Sequence, residues 1–403
     1  MNSKLLHTPV GVRDIYGAEY ESKLNLQSNI HNIFKSYGYC DIQTPTFEFF
    51  DIFNKERGSV ASKNLYKFFD REGNTLVLRP DMTPSIARSA TKYYLDEEMP
   101  IRLCYLGSAF INNSEYQGKL KEFTQMGCEL IGDNSSDCDT EIIAMVIESL
   151  TAANLTEFQI EIGQVDFFRG LIKEAHIDED TEEELRELLE NKKYFAIEDV
   201  LNQCNISDEI KNVFLKFPEF FGSIEMIQEA KSLVHNSISL AALDRLEKIY
   251  AMLKIYGYEK YISFDLSMLN KYNYYTGVVF KGYTYGTGDA IVTGGRYDGL
   301  LGQFGKQAPA IGFAVNVDGL HIALTRQHIS LSSKRNITLL VYPQSLREIA
   351  IEESKKLRKE GIDVVLFRKQ SAYTMDECFA YAKRMDIPTV YVVKEDGIHT
   401  INL

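Results

Sequence analysis

Residues 101–131 have the sequence IRLCYLGSAFINNSEYQGKLKEFTQMGCELI, which contains two segments rich in aromatic and β-branched residues, Ile101–Ile111 and Phe123–Ile131. This composition predicts two strands. Leu65–Phe69 and Thr75–Leu78, further upstream, have the same character, and no regular helical pattern separates the four segments. Consecutive short strands without helices between them favour a mainly antiparallel sheet over a doubly wound parallel one. The four segments therefore predict an α+β fold.

Helical patterns flank these strands. Apolar residues recur at helical spacing up to Tyr37, which predicts a helix, and Gly38 predicts its end. The pattern over Thr140–Ala153 predicts a second helix. From about 170 to 257 the pattern is helical and acidic, and we interpret this stretch as a helical insertion between two parts of one sheet. Within it, Thr181-Glu182-Glu183-Glu184 predicts a capping box.

A polar, unpatterned segment at 326–335 predicts a linker between two domains. Strand and helix patterns alternate beyond it, which is typical of a small α/β domain with a largely parallel sheet. We therefore predict a core domain over residues 1–325 and a C-terminal α/β domain over residues 335–403.

Composition and charge exclude several classes of protein. The 403 residues include 44 Lys and Arg against 57 Asp and Glu, a net charge of −13, so a protein that works mainly through a phosphate-binding surface is excluded and no nucleic-acid partner is expected. The chain has no apolar run long enough to span a bilayer and its first residues do not form a signal peptide, so we expect a cytoplasmic protein without a membrane partner. The six cysteines form no Cys-x-x-Cys pair, which predicts free thiols and no metal site.

Familiar catalytic motifs are missing from the sequence, including the P-loop, the nucleophile elbow and the H-E-x-x-H zinc motif. Gly286-Thr287-Gly288 superficially resembles a dinucleotide-binding loop. Such a loop must open a helix, but Ala290-Ile291-Val292 follows and predicts a strand, so we interpret the glycines as a tight turn.

Three clusters carry side chains suited to ligand binding. Their members are Asp81 and Thr83, then Gln125 and Glu129, and finally Tyr274, Tyr275 and Tyr297 within glycine-rich segments. Gln125 and Glu129 are four residues apart, so on a strand they point to the same face. Carboxylates, an amide and phenols, with glycines that let a ligand approach the backbone, suit a small cationic or amphoteric ligand.

The clusters, in this order, resemble histidyl-tRNA synthetase and its relatives. The matching pieces are Thr8-Pro9-Val10-Gly11-Val12-Arg13-Asp14, Arg79-Pro80-Asp81-Met82-Thr83, Gln125-x-Gly127-x-Glu129, Tyr274-Tyr275-Thr276-Gly277, Gly294-Gly295-Arg296-Tyr297-Asp298-Gly299-Leu300 and Pro309-Ala310-Ile311-Gly312-Phe313-Ala314. The resemblance implies the six-stranded antiparallel sheet of class II aminoacyl-tRNA synthetases, flanked by helices. It also implies a C-terminal domain similar to the synthetase anticodon-binding domain and a homodimer with Thr44-Pro45-Thr46 near its interface.

The resemblance also implies a histidine pocket. By similarity, Asp81, Thr83 and Gln125 would hold the α-amino group of histidine, while Glu129 and Tyr275, with Tyr297 nearby, would hold the imidazole, and Tyr274 belongs to the same set.

Three positions depart from the synthetase pattern. Ile111 follows Phe110 where the second class motif of the family has an arginine, Gly319 follows Asp318 where the third class motif has one, and Asn270 replaces the arginine of the histidine-specific signature. Neither Ile nor Gly can replace a guanidinium that clamps ATP.

A histidine pocket without ATP-binding groups resembles the regulatory subunits of ATP phosphoribosyltransferase, which activate a short catalytic subunit in the first step of histidine biosynthesis and take part in feedback inhibition by histidine. The resemblance implies a non-enzymatic protein without a cofactor, with histidine as ligand and the short catalytic subunit as partner. It also implies a homodimer within a hetero-oligomer, a hetero-octamer. Two alternatives stay open at this point: a divergent histidyl-tRNA synthetase, and a synthetase-like histidine sensor for another partner.

Overall fold

A computed structural model of the chain describes residues 6–53, 60–113, 119–269, 275–331, 336–370 and 372–403. The chain divides into two compact units, Met1–Leu331 and Ser332–Leu403.

The described residues of the larger unit form ten α-helices and twelve β-strands. The helices are α1 (Gly17–Ser36), α2 (Thr83–Tyr93), α3 (Ser136–Ala152), α4 (Val165–Ala175), α5 (Glu179–Glu190), α6 (Tyr194–Leu201), α7 (Asp208–Leu215), α8 (Glu225–Leu233), α9 (Ser237–Tyr256) and α10 (Val317–Arg326). The strands are β1 (Cys40–Asp41), β2 (Phe47–Phe49), β3 (Lys67–Phe69), β4 (Thr75–Leu78), β5 (Ile101–Phe110), β6 (Glu122–Ile131), β7 (Phe158–Gln164), β8 (Phe221–Gly222), β9 (Ile262–Asp265), β10 (Val278–Thr284), β11 (Val292–Arg296) and β12 (Ala310–Asn316).

The central sheet of this unit has the strand order β1-β5-β6-β12-β11-β10-β7-β9-β8. The six strands from β5 to β7 pair antiparallel with one another throughout. Parallel pairing occurs at two places nearer the edges, between β1 and β5 and between β7 and β9. The predicted α+β class and the six-stranded antiparallel sheet are thus confirmed. A separate small sheet has the order β2-β4-β3. The expectation that no helix separates the four predicted strands is wrong, because α2 lies between β4 and β5.

The two faces of the central sheet bury different sets of side chains. Cys104 of β5 belongs to the larger core, which also contains residues of α1, α3 and α9. Leu103 and Tyr105, its neighbours on the same strand, belong to a second core with Met82 and with Ile86 of α2. This alternation follows from the period of two along a strand, which sends successive side chains to opposite faces. The second face carries the candidate site described below.

Helices α4 to α9 occupy most of the segment predicted as a helical insertion, and the short strand β8 within it extends the edge of the central sheet. Its description as an insertion stays a prediction. The predicted capping box is wrong. Helix α5 begins earlier, with Asp178 as its N-cap, and the carboxylate of Asp178 accepts hydrogen bonds from both the backbone N–H and the hydroxyl of Thr181. An aspartate caps as well as a threonine, so the competing cap three residues upstream determines where the helix starts.

The smaller unit contains helices α11 (Arg347–Lys359) and α12 (Met375–Arg384) and strands β13 (Ile337–Tyr342), β14 (Asp363–Arg368), β15 (Thr389–Lys394) and β16 (Gly397–Asn402). Its sheet has the order β14-β13-β15-β16, in which β13 pairs parallel with both neighbours and β16 pairs antiparallel with β15. The last strand, β16, was not predicted from the sequence. Among the described residues of the whole chain, no helix combines the length and apolarity needed to cross a membrane.

Candidate functional site

The connection between β4 and α2 places the first two polar groups of the site. Proline at the first turn of α2 fits the helix start, because its missing N–H would have no helical partner there. Asp81 lies just before the helix, and its Oδ1 accepts a hydrogen bond from the backbone N–H of Thr83 at 3.4 Å. The same Oδ1 accepts from Nε2 of Gln125 at 3.4 Å, while Oε1 of Gln125 accepts from the backbone N–H of Met82 at 3.2 Å. The amide of Gln125 therefore fixes the start of α2 against strand β6.

Glu129, on the same face of β6, is 1% exposed. Its Oε1 accepts a hydrogen bond from the hydroxyl of Thr83 at 2.9 Å, and its Oε2 accepts one from the hydroxyl of Tyr297 at 2.5 Å. A carboxylate has lone pairs for about four such bonds. Glu129 is thus a buried, oriented acceptor with capacity for a further N–H donor.

Glycines on the neighbouring strands leave room for these side chains. Gly312 of β12 lies directly opposite Glu129 in the sheet, and a Cβ at this position would come within 1.7 Å of Glu129 Oε2. Gly295 of β11 is in turn opposite Gly312, and a Cβ there would come within 2.6 Å of the Tyr275 ring. Any larger residue at either glycine would fill the space that Glu129 and Tyr275 occupy.

Burial is the main cause of the shifted pKa values of the carboxyl and phenol groups in this site. The pKa of Glu129 is raised to about 8, mainly by burial and to a smaller extent by the nearby charge of Asp81, whereas hydrogen bonds from the hydroxyls of Tyr297, Thr83 and Tyr105 act in the opposite direction. Burial and the Glu129 carboxylate also hold the pKa values of Tyr105 and Tyr297 well above their usual range, so both phenols stay protonated donors. The site thus concentrates acidic groups that gain from a ligand carrying N–H or cationic groups.

Six of the seven residues predicted to bind histidine line one cavity of about 180 Å³. These six are Asp81, Thr83, Gln125, Glu129, Tyr275 and Tyr297. The seventh, Tyr274, lies outside the described residues. Aromatic and small residues complete the wall, among them Phe123, Phe313 and Thr293. The cavity brings carboxylates, an amide and phenols from distant parts of the sequence to one place.

Tyr105 was not among the residues predicted from the sequence. This residue of β5 is buried, its hydroxyl lies 3.5 Å from the carbonyl oxygen of Phe313, and it contacts the Glu129 carboxylate. In the sheet it is directly opposite Gly127, where a Cβ would lie 2.5 Å from its hydroxyl. The register of β5 against β6 was the signal that could have identified it, because a tyrosine opposite a glycine can lie across the strand.

Arg296, in the glycine-rich segment next to Tyr297, has a structural role. It is 1% exposed, and its guanidinium donates to Oδ1 of the fully buried Asp139 from both Nε (3.0 Å) and Nη2 (2.7 Å). Arg245 donates to the other oxygen of Asp139 at 2.6 Å. Since Arg296 and Tyr297 are adjacent on an extended segment, they point to opposite faces. The guanidinium of Arg296 accordingly does not line the cavity.

Two larger cavities, of about 730 and 580 Å³, share wall residues with the site, including Ile111 and Thr293. Ile111, at the first departure from the synthetase pattern, lines all three cavities, and Gly319, at the second, lines one of the larger two. Asp318, which precedes Gly319, is paired with Lys23 of α1 at 2.6 Å and accepts from a backbone N–H of β6 at 2.6 Å. Asn270, the third departure, lies outside the described residues.

The sequence and fold match known proteins over most of the chain. A family model described as Histidyl-tRNA synthetase matches residues 11–320. The "ATP phosphoribosyltransferase regulatory subunit" of Acetivibrio thermocellus is 41% identical over 359 residues, which cover 89% of this chain and 86% of the relative. The chain belongs to the family of ATP phosphoribosyltransferase regulatory subunits.

Further relatives agree with this family. The regulatory subunit of Ruminiclostridium cellulolyticum is 38% identical over 393 residues, which cover 98% of this chain and 94% of the relative. A crystal structure described as an ATP phosphoribosyltransferase regulatory subunit/histidyl-tRNA synthetase from Bacillus halodurans matches with a TM-score of 0.85 and 33% identity, covering 94% of this chain and 96% of the other. A histidyl-tRNA synthetase from a Nostoc species matches with a TM-score of 0.81 at 20% identity, over 98% of this chain and 96% of the other, which shows the shared fold alone. The predicted resemblance is confirmed, while the role of each cavity residue stays a prediction.

Proposed function

We propose that this regulatory-subunit family member binds free histidine in the cavity around Glu129 and transmits its presence to a short catalytic subunit of ATP phosphoribosyltransferase. The observation that carries the proposal is the buried Glu129 carboxylate, held by Thr83 and Tyr297 in a wall that also contains Asp81 and Gln125. An imidazole N–H and an α-ammonium group need two separate acceptors. The cavity wall supplies two, the carboxyl groups of Glu129 and Asp81.

In the proposed complex, Glu129 accepts a hydrogen bond from the imidazole ring, and Tyr275 and Tyr297 enclose the ring. The α-ammonium group binds Asp81, with Gln125 holding that carboxylate in place. Burial raises the pKa of Glu129 to about 8, and an imidazole N–H donor favours its ionised form. Hydrogen bonds to an ionised acceptor are shorter and stronger than those between neutral groups, so Glu129 is expected to dominate recognition of the ring once the ligand has displaced its proton.

We further propose that the site does not activate histidine with ATP. Formation of an adenylate depends on cationic groups that stabilise developing charge on the phosphates. Ile111 and Gly319, at the positions where synthetases have arginines by resemblance, carry no charge. Lys119, which borders both larger cavities, has an acidic partner: it lies 2.9 Å from Asp289. This supports a ligand-binding role over the alternative of an active synthetase.

A pocket that binds without reacting can act only by preferring one state of an assembly. The proposal therefore requires that the complex with the catalytic subunit has at least two states and that histidine binds one of them more tightly. By linkage, any ligand of the catalytic subunit whose affinity histidine changes must change the affinity for histidine by the same factor.

Titration calorimetry of the full-length chain with L-histidine tests the binding step. Glu129→Gln keeps the size of the side chain but cannot ionise. In titrations above the pKa of Glu129, about 8, it therefore replaces a charged acceptor with a neutral one, and we expect affinity to fall about tenfold. The matched control is Glu161→Gln, which removes a half-buried carboxyl that lines one of the larger cavities and should leave affinity unchanged. Equal affinities of wild type and Glu129→Gln, with both folded, would exclude this cavity as the histidine site. Co-purification with the short catalytic subunit tests the partner.

A further inference from the structure

A second cluster of ligating side chains lies on the opposite face of the central sheet. Asp41 of β1 and Cys104 of β5 are directly paired in the parallel register, so their side chains leave the same face. Cys104 is also paired with Cys128, which precedes Glu129 on β6 and points away from it. His31 of α1 reaches the same place from the helix that covers this face.

Asp41 contacts both of the other side chains. Nε2 of His31 lies 2.6 Å from Oδ1 of Asp41, and Sγ of Cys104 lies 3.4 Å from the same oxygen. One ligand atom from each of the three lies within 4.8 Å of the other two, and this is the one such group of three or more His, Cys, Asp or Glu residues in the described part of the chain.

We propose that His31, Asp41 and Cys104 form a zinc-binding site. Imidazole nitrogen, carboxylate oxygen and thiolate sulfur are the ligands that Zn²⁺ takes in proteins, at about 2.0–2.3 Å. Tetrahedral bonds of this length place ligand atoms roughly 3.3–3.8 Å apart, so the S–O separation of 3.4 Å already fits and the N–O separation of 2.6 Å must open by about 1 Å. Hard cations such as Mg²⁺ and Ca²⁺ prefer sites made of oxygen ligands, which this is not.

The exposure of the side chains agrees with a three-residue site that keeps one open position. The side chains of His31 and Asp41 are 40% and 59% exposed, so water can fill the fourth position, while Cys104 is buried beneath them. Lys35, one turn along α1 from His31, donates to Oδ2 of Asp41 at 3.1 Å and to the carbonyl oxygen of Tyr39 at 2.8 Å. Lys35 thus holds the second carboxylate oxygen and leaves Oδ1 directed at the metal position, although its charge opposes a cation and limits the affinity.

Binding of Zn²⁺ to these side chains releases protons. The thiol of Cys104 gives up its proton to solvent when the thiolate bonds to Zn²⁺, and His31 loses one where it is charged. The cysteine spacing could not reveal such a site, because its ligands come from a helix and two strands that are distant in the sequence. The inference is independent of the proposed histidine binding, because the cluster and the cavity share no residue.

The test is metal titration of the full-length chain after removal of bound metal with a chelator. Zn²⁺ affinity is measured by competition with a chromophoric chelator, and Co²⁺ serves as a spectroscopic probe because thiolate ligation gives an intense near-ultraviolet charge-transfer band. We expect one equivalent of Zn²⁺ per chain and at least about tenfold weaker binding for His31→Gln and Cys104→Ser. The charge-transfer band should also disappear in Cys104→Ser.

The matched control is Cys40→Ser, because Cys40 is an exposed thiol next to Asp41 in the sequence. It should keep both the affinity and the cobalt band. Loss of the band in Cys40→Ser but not in Cys104→Ser, or wild-type affinity in His31→Gln, would overturn the proposal. Cys104 is fully buried, so if Cys104→Ser does not fold, the result for His31→Gln, on the partly exposed face of α1, decides the question alone.

Discussion

Replacement of Glu129 by Gln should change how the stability of the protein depends on pH. The carboxyl has a pKa of about 8 in the folded protein because it is buried, whereas the ordinary value is 4.5. Between these two values the folded chain keeps a proton that the unfolded chain has lost. The free energy of unfolding therefore falls as the pH rises from about 4.5 to 8, with a slope that approaches 1.4 kcal/mol per pH unit. Glutamine does not titrate and removes this contribution.

The magnitude over the whole window is about 4–5 kcal/mol for a shift of this size. Glu129→Gln should accordingly gain stability relative to wild type as the pH is raised from 5 to 9, even if it is slightly destabilised at the acid end. Urea unfolding followed by circular dichroism measures this, and the chain has no tryptophan whose fluorescence could serve instead. The difference between the two proteins cancels the titration of all other groups. Parallel stability curves for the two proteins would show that Glu129 is ionised in the folded state and would refute the reasoning.

Three further predictions concern packing, ion pairs and chemistry. Gly312→Ala places a Cβ against the Glu129 carboxylate and should cost about 1–3 kcal/mol in thermal unfolding, whereas Gly299→Ala, which meets no atom within 4 Å, should cost much less. Asp139→Asn leaves the buried guanidinium of Arg296 without its charged partner and should lower the free energy of unfolding by about 3–5 kcal/mol, as measured by urea denaturation. Histidine-dependent exchange of pyrophosphate into ATP should stay at background under conditions where a histidyl-tRNA synthetase is active; measurable exchange would contradict the absence of adenylate chemistry.

The strands that carry the site were predictable from the sequence because alternation and composition report local burial. The same-face placement of Gln125 and Glu129 follows from a period of two, and the structure shows both on one wall of the cavity. Tyr105 was not predictable in this way, because its contact with Glu129 depends on how β5 is aligned with β6, and pattern along one strand does not fix alignment with another.

The errors in the predicted secondary structure have two different physical causes, a competing helix cap and a strand stabilised mainly by its partner. Thr181 was predicted as a helix cap, but Asp178 caps the helix and Thr181 lies within its first turn. Strand β16 was missed because most of its residues are exposed and show no regular alternation of apolar and polar side chains, so its main stabilisation comes from pairing with β15. A capping box is present at the start of α12, between Thr374 and Glu377.

The central claim is that histidine acts on a catalytic partner through the Glu129 cavity. The most direct test is the rate of the assembled complex, measured against histidine concentration, for wild type and for variants at Glu129 and Tyr275. The account predicts that each variant keeps most of the activation that assembly gives and needs about tenfold or more histidine for half-maximal inhibition. Superimposable inhibition curves for wild type and both variants would contradict it, because histidine would then act through a different site.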